Sequence, residues 1–245
     1  MPALSTLTWT ALQDAADRLL VVPVGATEQH GPHLPFSTDT DIAVALADAL
    51  DRERDDVVVA PAVAFGSSGE HQGFPGTLSI GREATELLLV ELGRSATETF
   101  RRILLISTHG GNAEPVRAAV ARLRDEGRDV RGWSPQWHGD LHAGHAETSI
   151  LLALDPDQVA TERAVRGATA PLGELLPEMR RTGVAGVSPN GVLGDATTAT
   201  ADAGRTLLRR ASADLAALVD AWPAGARATG DAAAPPAGAI AHEAP

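Results

Sequence analysis

Apolar runs alternate with segments of helical periodicity along most of the chain. Continuous apolar runs predict strands at residues 19–24, 57–60, 103–107 and 129–133. Periodic segments predict helices at residues 40–52, 82–100, 113–126, 146–154 and 198–219. Strands that are apolar throughout, rather than at alternate positions, are typical of parallel sheets covered by helices. The pattern therefore predicts an α/β fold with a mostly parallel central sheet.

The length and the end of the sequence bear on domain organisation. A chain of 245 residues suits one large domain. From residue 224 onward, AGARATGDAAAPPAGAIAHEAP has no periodicity and is rich in alanine, proline and glycine. Such a composition is typical of disorder. We therefore expect a single domain over residues 1–223 and a disordered tail over 224–245.

Charge and hydropathy narrow the classes of partner. The net charge of −12 argues against a nucleic-acid partner and against binding to an anionic membrane surface. No apolar run approaches the roughly 18 residues that a membrane span needs. The first residues, MPALSTLTWTALQDAADR, are too polar and mixed for a signal peptide. These features predict a cytoplasmic protein.

Three residue types are absent from the sequence, namely Cys, Lys and Tyr. Their absence excludes a thiolate nucleophile, a lysine Schiff base and a tyrosine proton donor. Any metal site must then be built from imidazole and carboxylate groups. A serine hydrolase is disfavoured as well, because the sequence contains no G-x-S-x-G elbow.

Ionisable residues cluster in loops that follow the predicted strands. These loops are GATEQHGPHLPFSTDTD, STHGGNAEPV and WHGDLHAGHAETS. Seven of the eight histidines, all but His242, lie in these loops or in GSSGEHQGFPGTLSIG (66–81). Because the carboxyl ends of parallel strands form the sites of such folds, we expect these loops to meet at one site.

The first loop carries the strongest candidate ligands. Glu28 and His30 are two residues apart, so in an extended segment their side chains point the same way and can face one metal. Asp39 is either a helix N-cap or a carboxylate that bridges metals, and Asp41 suits the first helical turn. His33 is either a ligand or a hydrogen-bond partner that orients one, and we favour the second role.

The remaining clusters each allow two interpretations. His109, before two glycines, is either a turn residue or a ligand. Glu147 opens a helix, and capping accounts for it but not for the nearby His142 and His145. Beside a metal, His142 and Glu147 can act as ligand, general base or proton donor. Glu70 and His71 either contact substrate at the mouth of the site or lie in a solvated loop.

Several motifs together resemble a known family. VPVGATEQHGPHLPFSTDTD, THGGN and HAGHAETS resemble the signatures of the creatininase family of metal-dependent amidohydrolases. Within that family, GSSGEHQGFPGTLSIG and LLPEMRRTGVAGVSPNGVLGDATTATADAG resemble a branch of peptidases that process a modified precursor peptide. The resemblance extends over about residues 19–210. It implies a three-layer α/β/α fold and a homo-oligomer.

The resemblance also implies a site with two divalent metal ions, of zinc, iron or manganese. One ion would be held by Glu28, Asp39 and His109, and the other by His30, Asp39 and a further carboxylate. In creatininase that carboxylate comes from the segment that matches HGGN, where this sequence has Gly111. Because glycine has no side chain to offer, we expect Glu147 to replace it.

The activity implied is that of a metal-dependent peptidase. Its substrate would be a precursor peptide whose C-terminal Val-Tyr has been modified by a radical enzyme, and it would release the cyclised Val-Tyr product. His142 would stabilise the oxyanion or protonate the leaving amine. Arg180 and Arg181 could bind the free C-terminal carboxylate, or could simply cover a helix surface. The alternatives are a small-molecule amidohydrolase acting on creatinine or a formamide, and a non-catalytic metal-binding scaffold.

Overall fold

The computed structural model describes residues 3–137 and 141–222. Its four strands are β1 (Leu19–Val24), β2 (Val57–Val59), β3 (Arg102–Ser107) and β4 (Asp129–Trp133). They form one sheet in the order β2-β1-β3-β4, and every pair is parallel. The predicted parallel sheet is confirmed, with strand ends that differ from the prediction by at most one residue.

Six α-helices accompany the sheet. They are α1 (Thr38–Glu53), α2 (Arg82–Ala96), α3 (Ala113–Asp125), α4 (His145–Leu154), α5 (Leu172–Val187) and α6 (Ala201–Asp220). The predicted helices correspond to all of these except α5, but the helix predicted over 82–100 ends at Ala96 and the helix predicted from 198 begins only at Ala201. The sequence pattern did not predict a helix over Leu172–Val187, where α5 lies. Asp39 likewise lies inside the first turn of α1 and not before it.

Helices cover both faces of the sheet. Leu19 and Val21 of β1 belong to one buried cluster, which includes Ile42 of α1 and Leu215 of α6. Leu20 and Val22 point the opposite way, into a second cluster with residues of α2 and α3, including Leu89 and Leu123. Since side chains alternate along a strand, a fully apolar β1 supplies both cores. The result is the three-layer α/β/α arrangement.

The helix α5 differs from the others. Only Val184 among its residues is buried, and Gly183 interrupts the helical backbone with φ of 72°. A Cβ on Gly183 would lie 2.8 Å from the carbonyl oxygen of Glu70, so this kink sits directly against the loop that carries Glu70 and His71. The kink thereby fixes part of the 66–81 loop.

The carboxyl ends of β1, β3 and β4 all lie at one edge of the sheet, where the His-rich loops begin. The helices in residues 3–137 and 141–222 include none that is long and apolar enough to cross a membrane. The predicted tail over 224–245, His138 and His242 lie outside the described residues.

Candidate metal centre

The loop after β1 buries its ionisable side chains completely. Glu28 and His30 are both 0 % exposed, and Asp39 of α1 is 1 % exposed. A Cβ on Gly25 would lie 2.3 Å from Thr40 Oγ1, so the loop can lie this close to α1 only with glycine at its start. Close packing of the loop on α1 brings these three side chains together.

Two groups of possible ligand atoms share Asp39. Glu28, Asp39 and His109 form one group, and His30, Asp39 and Glu147 form the other, with all atoms of a group within 4.8 Å of one another. His109 Nδ1 lies 3.2 Å from Glu28 Oε1 and 3.6 Å from Asp39 Oδ2. His30 Nε2 lies 3.6 Å from Asp39 Oδ1 and 3.8 Å from Glu147 Oε2. The side chains expected to hold two metals are therefore placed together, as two groups with one shared carboxylate.

The histidine rings are turned in a consistent way. In each of three rings, one nitrogen meets a backbone carbonyl oxygen: His30 Nδ1 with Glu28 O (3.1 Å), His109 Nε2 with Ser67 O (2.9 Å) and His142 Nε2 with Gln29 O (2.8 Å). Because a carbonyl only accepts, these nitrogens carry hydrogen. The other nitrogen of each ring faces the carboxylates, which is the usual arrangement of metal-binding histidines.

Buried atoms without hydrogen bonds test whether a cation fits. In the part of the chain that the structure describes, both carboxylate oxygens of Glu28, His30 Nε2 and Asp39 Oδ2 are buried and have no hydrogen-bond partner. Each such atom costs about 1–3 kcal/mol if it stays unsatisfied. These atoms converge on one region and are all nitrogen or carboxylate oxygen, which fits zinc, iron or manganese.

The pKa shifts of the side chains in the centre also indicate that a cation fits there. Burial by itself lowers the pKa of His30, but Asp39, Glu147 and Glu28 together raise it to about 9. Burial would also raise the pKa of Glu28, yet the surrounding imidazoles, His109 foremost, hold it well below its ordinary value. The carboxylates thus attract positive charge strongly, and a divalent cation would satisfy them as protons on the imidazoles do.

His142 and Glu147 differ from this pattern. Burial, together with the neighbouring His30 and His71, holds the pKa of His142 well below its ordinary value, so its ring is neutral. Burial raises the pKa of Glu147 to about 7. His142 Nδ1 lies 3.6 Å from Glu28 Oε1, so its unprotonated nitrogen faces the centre. The raised pKa of Glu147 places its titration near neutral pH, whereas His142 stays neutral there and offers Nδ1 as a hydrogen-bond acceptor.

The THGGN segment after β3 fastens three loops. Asn112 Nδ2 donates to Gly25 O (2.9 Å), and Asn112 Oδ1 accepts from Ser67 N (2.9 Å). Thr108 Oγ1 donates to Asp39 O (2.7 Å). The segment therefore fixes the loop after β1, the 66–81 loop and the start of α1 around His109.

Most of the chain matches a known protein family. The family model described as creatinine amidohydrolase (Creatininase) matches residues 5–219. The chain belongs to the creatininase family. The family resemblance inferred from the motifs is therefore confirmed.

Relatives within the creatininase family include two proteins named mycofactocin precursor peptide peptidase. The one from Mycolicibacterium smegmatis is 54% identical over 214 residues, covering 83% of this chain and 85% of that protein. The one from Mycobacterium tuberculosis is 51% identical over the same length, with the same coverage. A solved structure of the manganese form of creatininase is 28% identical, with a TM-score of 0.75 over 89% of this chain and 97% of its own. The fold of the creatininase family is thus confirmed.

The departure of this chain from the creatininase pattern at Gly111 has a structural counterpart. A Cβ on Gly111 would lie 2.2 Å from Ser67 O and 2.4 Å from Glu70 Oε1. No side chain fits there, because this carbonyl and the Glu70 carboxylate fill the space. Glu147, the expected replacement for the missing carboxylate, lies beside His30. Its Oε2 accepts a hydrogen bond from Ala143 N (2.6 Å).

The side chains of Glu70 and His71, expected at the mouth, lie at different depths. His71 is 3 % exposed, and its Nε2 lies 3.3 Å from Glu28 Oε1. Glu70 is half-buried, 3.6 Å from His109 Nε2, and burial raises its pKa. His71 therefore contacts a candidate ligand, and a contact of either residue with substrate stays a prediction.

The other predicted residues are placed as follows. His33 is buried, and its Nε2 lies 2.8 Å from Thr148 Oγ1, next to Glu147, so it supports the centre from outside. Arg180 and Arg181 are exposed on α5, and Arg181 donates to Glu178 Oε1 (2.6 Å). Their contact with a substrate carboxylate stays a prediction.

One residue of the centre was missed by the sequence analysis. Gln29 is 6 % exposed, and its side chain contacts both His71 and His142. Its position between Glu28 and His30 could have indicated a role in the centre. However, side chains alternate in an extended segment, and this alternation predicts that Gln29 points away from Glu28 and His30.

Proposed function

We propose that this chain is a metal-dependent peptidase that acts on the mycofactocin precursor peptide. It would cut before the modified C-terminal Val-Tyr and release the cyclised product. The observation that carries the reaction class is the pair of ligand groups joined by Asp39. The substrate rests on the two peptidase relatives, at 54% and 51% identity.

The centre would hold two divalent ions of zinc, iron or manganese. Glu28, Asp39 and His109 would hold one, and His30, Asp39 and Glu147 the other. When bound, such ions polarise an amide carbonyl and make water more acidic. Three carboxylates in the set would compensate much of the charge of two divalent cations, which supports occupancy by both.

His142 is the residue best placed to move a proton. Hydrolysis forms a C–O bond, breaks the C–N bond and transfers a proton from water to the leaving amine. The Nε2–H of His142 is held by Gln29 O, which leaves Nδ1 as the acceptor that faces the centre. Nδ1 can accept the proton from water and pass it to the amine nitrogen.

Glu147 would contribute through position as well as charge. Its carboxylate is fixed by Ala143 N, whose own residue has a positive φ of 53°. That strained backbone aims the amide at the carboxylate and leaves the remaining oxygen lone pairs for the centre. The proposal therefore gives Glu147 the role of ligand, with proton transfer as the alternative.

Two other functions are less well supported. A small-molecule amidohydrolase of the creatinine type would share the centre, but identity to the creatininase structure is 28%, about half that to the peptidases. A non-catalytic metal-binding scaffold would not need the neutral imidazole of His142, which faces the candidate ligands. The cytoplasmic location and the homo-oligomer remain parts of this proposal.

The test combines metal analysis with a cleavage assay. The full chain, purified without added metal, should contain up to two zinc, iron or manganese ions. Mass spectrometry should show release of the modified Val-Tyr product from the precursor peptide. Creatinine and the same peptide with unmodified Val-Tyr serve as competing substrates. Faster turnover of creatinine, or metal-loaded protein without peptide cleavage, would overturn the proposal.

A further inference from the structure

The side-chain amide of Gln29 has a single possible orientation. Its Oε1 accepts from the backbone N–H of Gly31 (2.8 Å), and its Nε2 donates to the carbonyl oxygen of Gly191 (3.0 Å). In a flipped amide, the NH₂ group would face the N–H of Gly31 and the oxygen would face the carbonyl oxygen of Gly191, so neither pair could form a hydrogen bond. The amide is therefore fixed from both ends.

The glycine that accepts from Gln29 is required at that position. Gly191 has a φ of 79°, and a Cβ there would lie 2.0 Å from Gln29 Oε1. Two residues later, Leu193 exchanges backbone hydrogen bonds with His142. The 188–194 loop thus holds Gln29 and His142 together.

The second hydrogen of the amide determines the state of His71. Gln29 Nε2 lies 2.9 Å from His71 Nδ1, so this ring nitrogen must accept and carries no hydrogen. The ring hydrogen is then on Nε2, which lies 3.3 Å from Glu28 Oε1. His71 thus presents an N–H to a carboxylate of the centre.

The backbone of the same residue determines the opposite state in His142. Its Nε2 lies 2.8 Å from Gln29 O, so Nε2 carries the hydrogen. The 3.1 Å approach of the amide Nε2 to this nitrogen is then a contact between two donors and not a hydrogen bond. In His142 the nitrogen without hydrogen, Nδ1, faces Glu28.

We propose that Gln29 is a positioning residue that sets opposite tautomers in His71 and His142. It keeps the N–H of His71 directed at Glu28, which leaves His71 without a free nitrogen for the ligand set. It leaves His142 with a free acceptor toward the centre. The catalytic consequence and the effect on metal affinity rest on the proposed function, whereas the tautomers do not.

The tautomers can be measured directly in the wild-type protein. In the full-length zinc-loaded chain labelled with ¹⁵N-histidine, NMR should show His71 with hydrogen on Nε2 and none on Nδ1. The His71 signals are assigned by their loss in His71→Gln. Hydrogen on Nδ1 of His71 would overturn the proposal without any change at Gln29.

Two variants then test whether Gln29 is the cause. Gln29→Glu replaces the donor with an acceptor, so His71 should move its hydrogen to Nδ1. Gln29→Met removes the donor, so His71 should lose its single tautomer. Loss of a group that orients ligands costs about 10–100-fold in metal affinity, which competition with a chelator measures.

The matched control is Gln72→Glu, the same change on an exposed residue next to His71. It should leave both the tautomer and metal affinity unchanged. If His71 keeps its Nε2 hydrogen in both Gln29 variants, Gln29 does not set the tautomer. Because neither readout uses the peptide, a wrong substrate would leave these results intact.

Discussion

Two aspartates of α1, only two residues apart, differ in their surroundings. Asp39 is buried and belongs to both ligand groups. Asp41 accepts from Ser37 Oγ (2.7 Å) and belongs to neither. Helix geometry separates them by about 200°, so one faces the centre and the other the start of the helix. The same residue type thus carries two unrelated roles.

This difference gives a direct prediction for Asp39→Asn. The shared carboxylate is lost from both groups, so most bound metal should dissociate. Activity should then fall by more than about 100-fold, which is more than the loss of a side chain that only orients a ligand costs. Metal content by mass spectrometry and peptide turnover provide the measurement. The control Asp41→Asn should keep both. Full metal content in Asp39→Asn would remove Asp39 from the ligands.

Glu147→Gln tests the replacement for the carboxylate missing at Gly111. The variant keeps the size of the side chain but removes its charge from the group with His30 and Asp39. One metal should be lost, while the group around His109 keeps the other, and turnover should fall by orders of magnitude. As a helix-terminal charge alone, Glu147 would contribute only about 0.3–1 kcal/mol of stability. Two retained metals and normal turnover would support that lesser role.

At the scale of elements, the turn after β3 stabilises its neighbours. Asn112 is fully buried and bonds Gly25 O and Ser67 N. In Asn112→Ala both groups lose their partner, at about 1–3 kcal/mol for a buried group. The melting temperature should drop by about 4–8 °C if the sum is near 2 kcal/mol. Glu114→Ala, which breaks only an exposed pair with Arg82, should change it little. An equal change in both variants would contradict the role of Asn112.

The elements also show what the sequence could predict. Continuous apolar strands and well-formed amphipathic helices were found because their signal is local. The helix α5 was missed because it contains Pro177 and Gly183 and buries only Val184, so its periodicity is weak. The burial of His71 was missed for a related reason. It depends on the kink at Gly183 packing on Glu70, a contact between distant segments that no local pattern encodes.

At the scale of the whole molecule, the centre joins parts that the sheet alone does not hold. Its side chains come from the loop after β1, from α1, from the turn after β3 and from α4. Several of their buried atoms lack hydrogen bonds within residues 3–137 and 141–222. Binding energy at such a place is shared by every element that contributes a ligand, so it adds to the stability of the entire fold.

Removal of metal should therefore lower the stability of the whole domain. A ligand present at about 100 times its dissociation constant adds about 2.7 kcal/mol, and for a chain of this size 1 kcal/mol shifts the melting temperature by about 2–4 °C. Chelator-treated protein should melt about 5–11 °C lower than metal-loaded protein, and added zinc or manganese should restore the difference. Asp39→Asn, which lacks the shared carboxylate, should melt at the same temperature with and without chelator. A wild-type melting temperature indifferent to chelation would mean that these buried groups are not satisfied by metal.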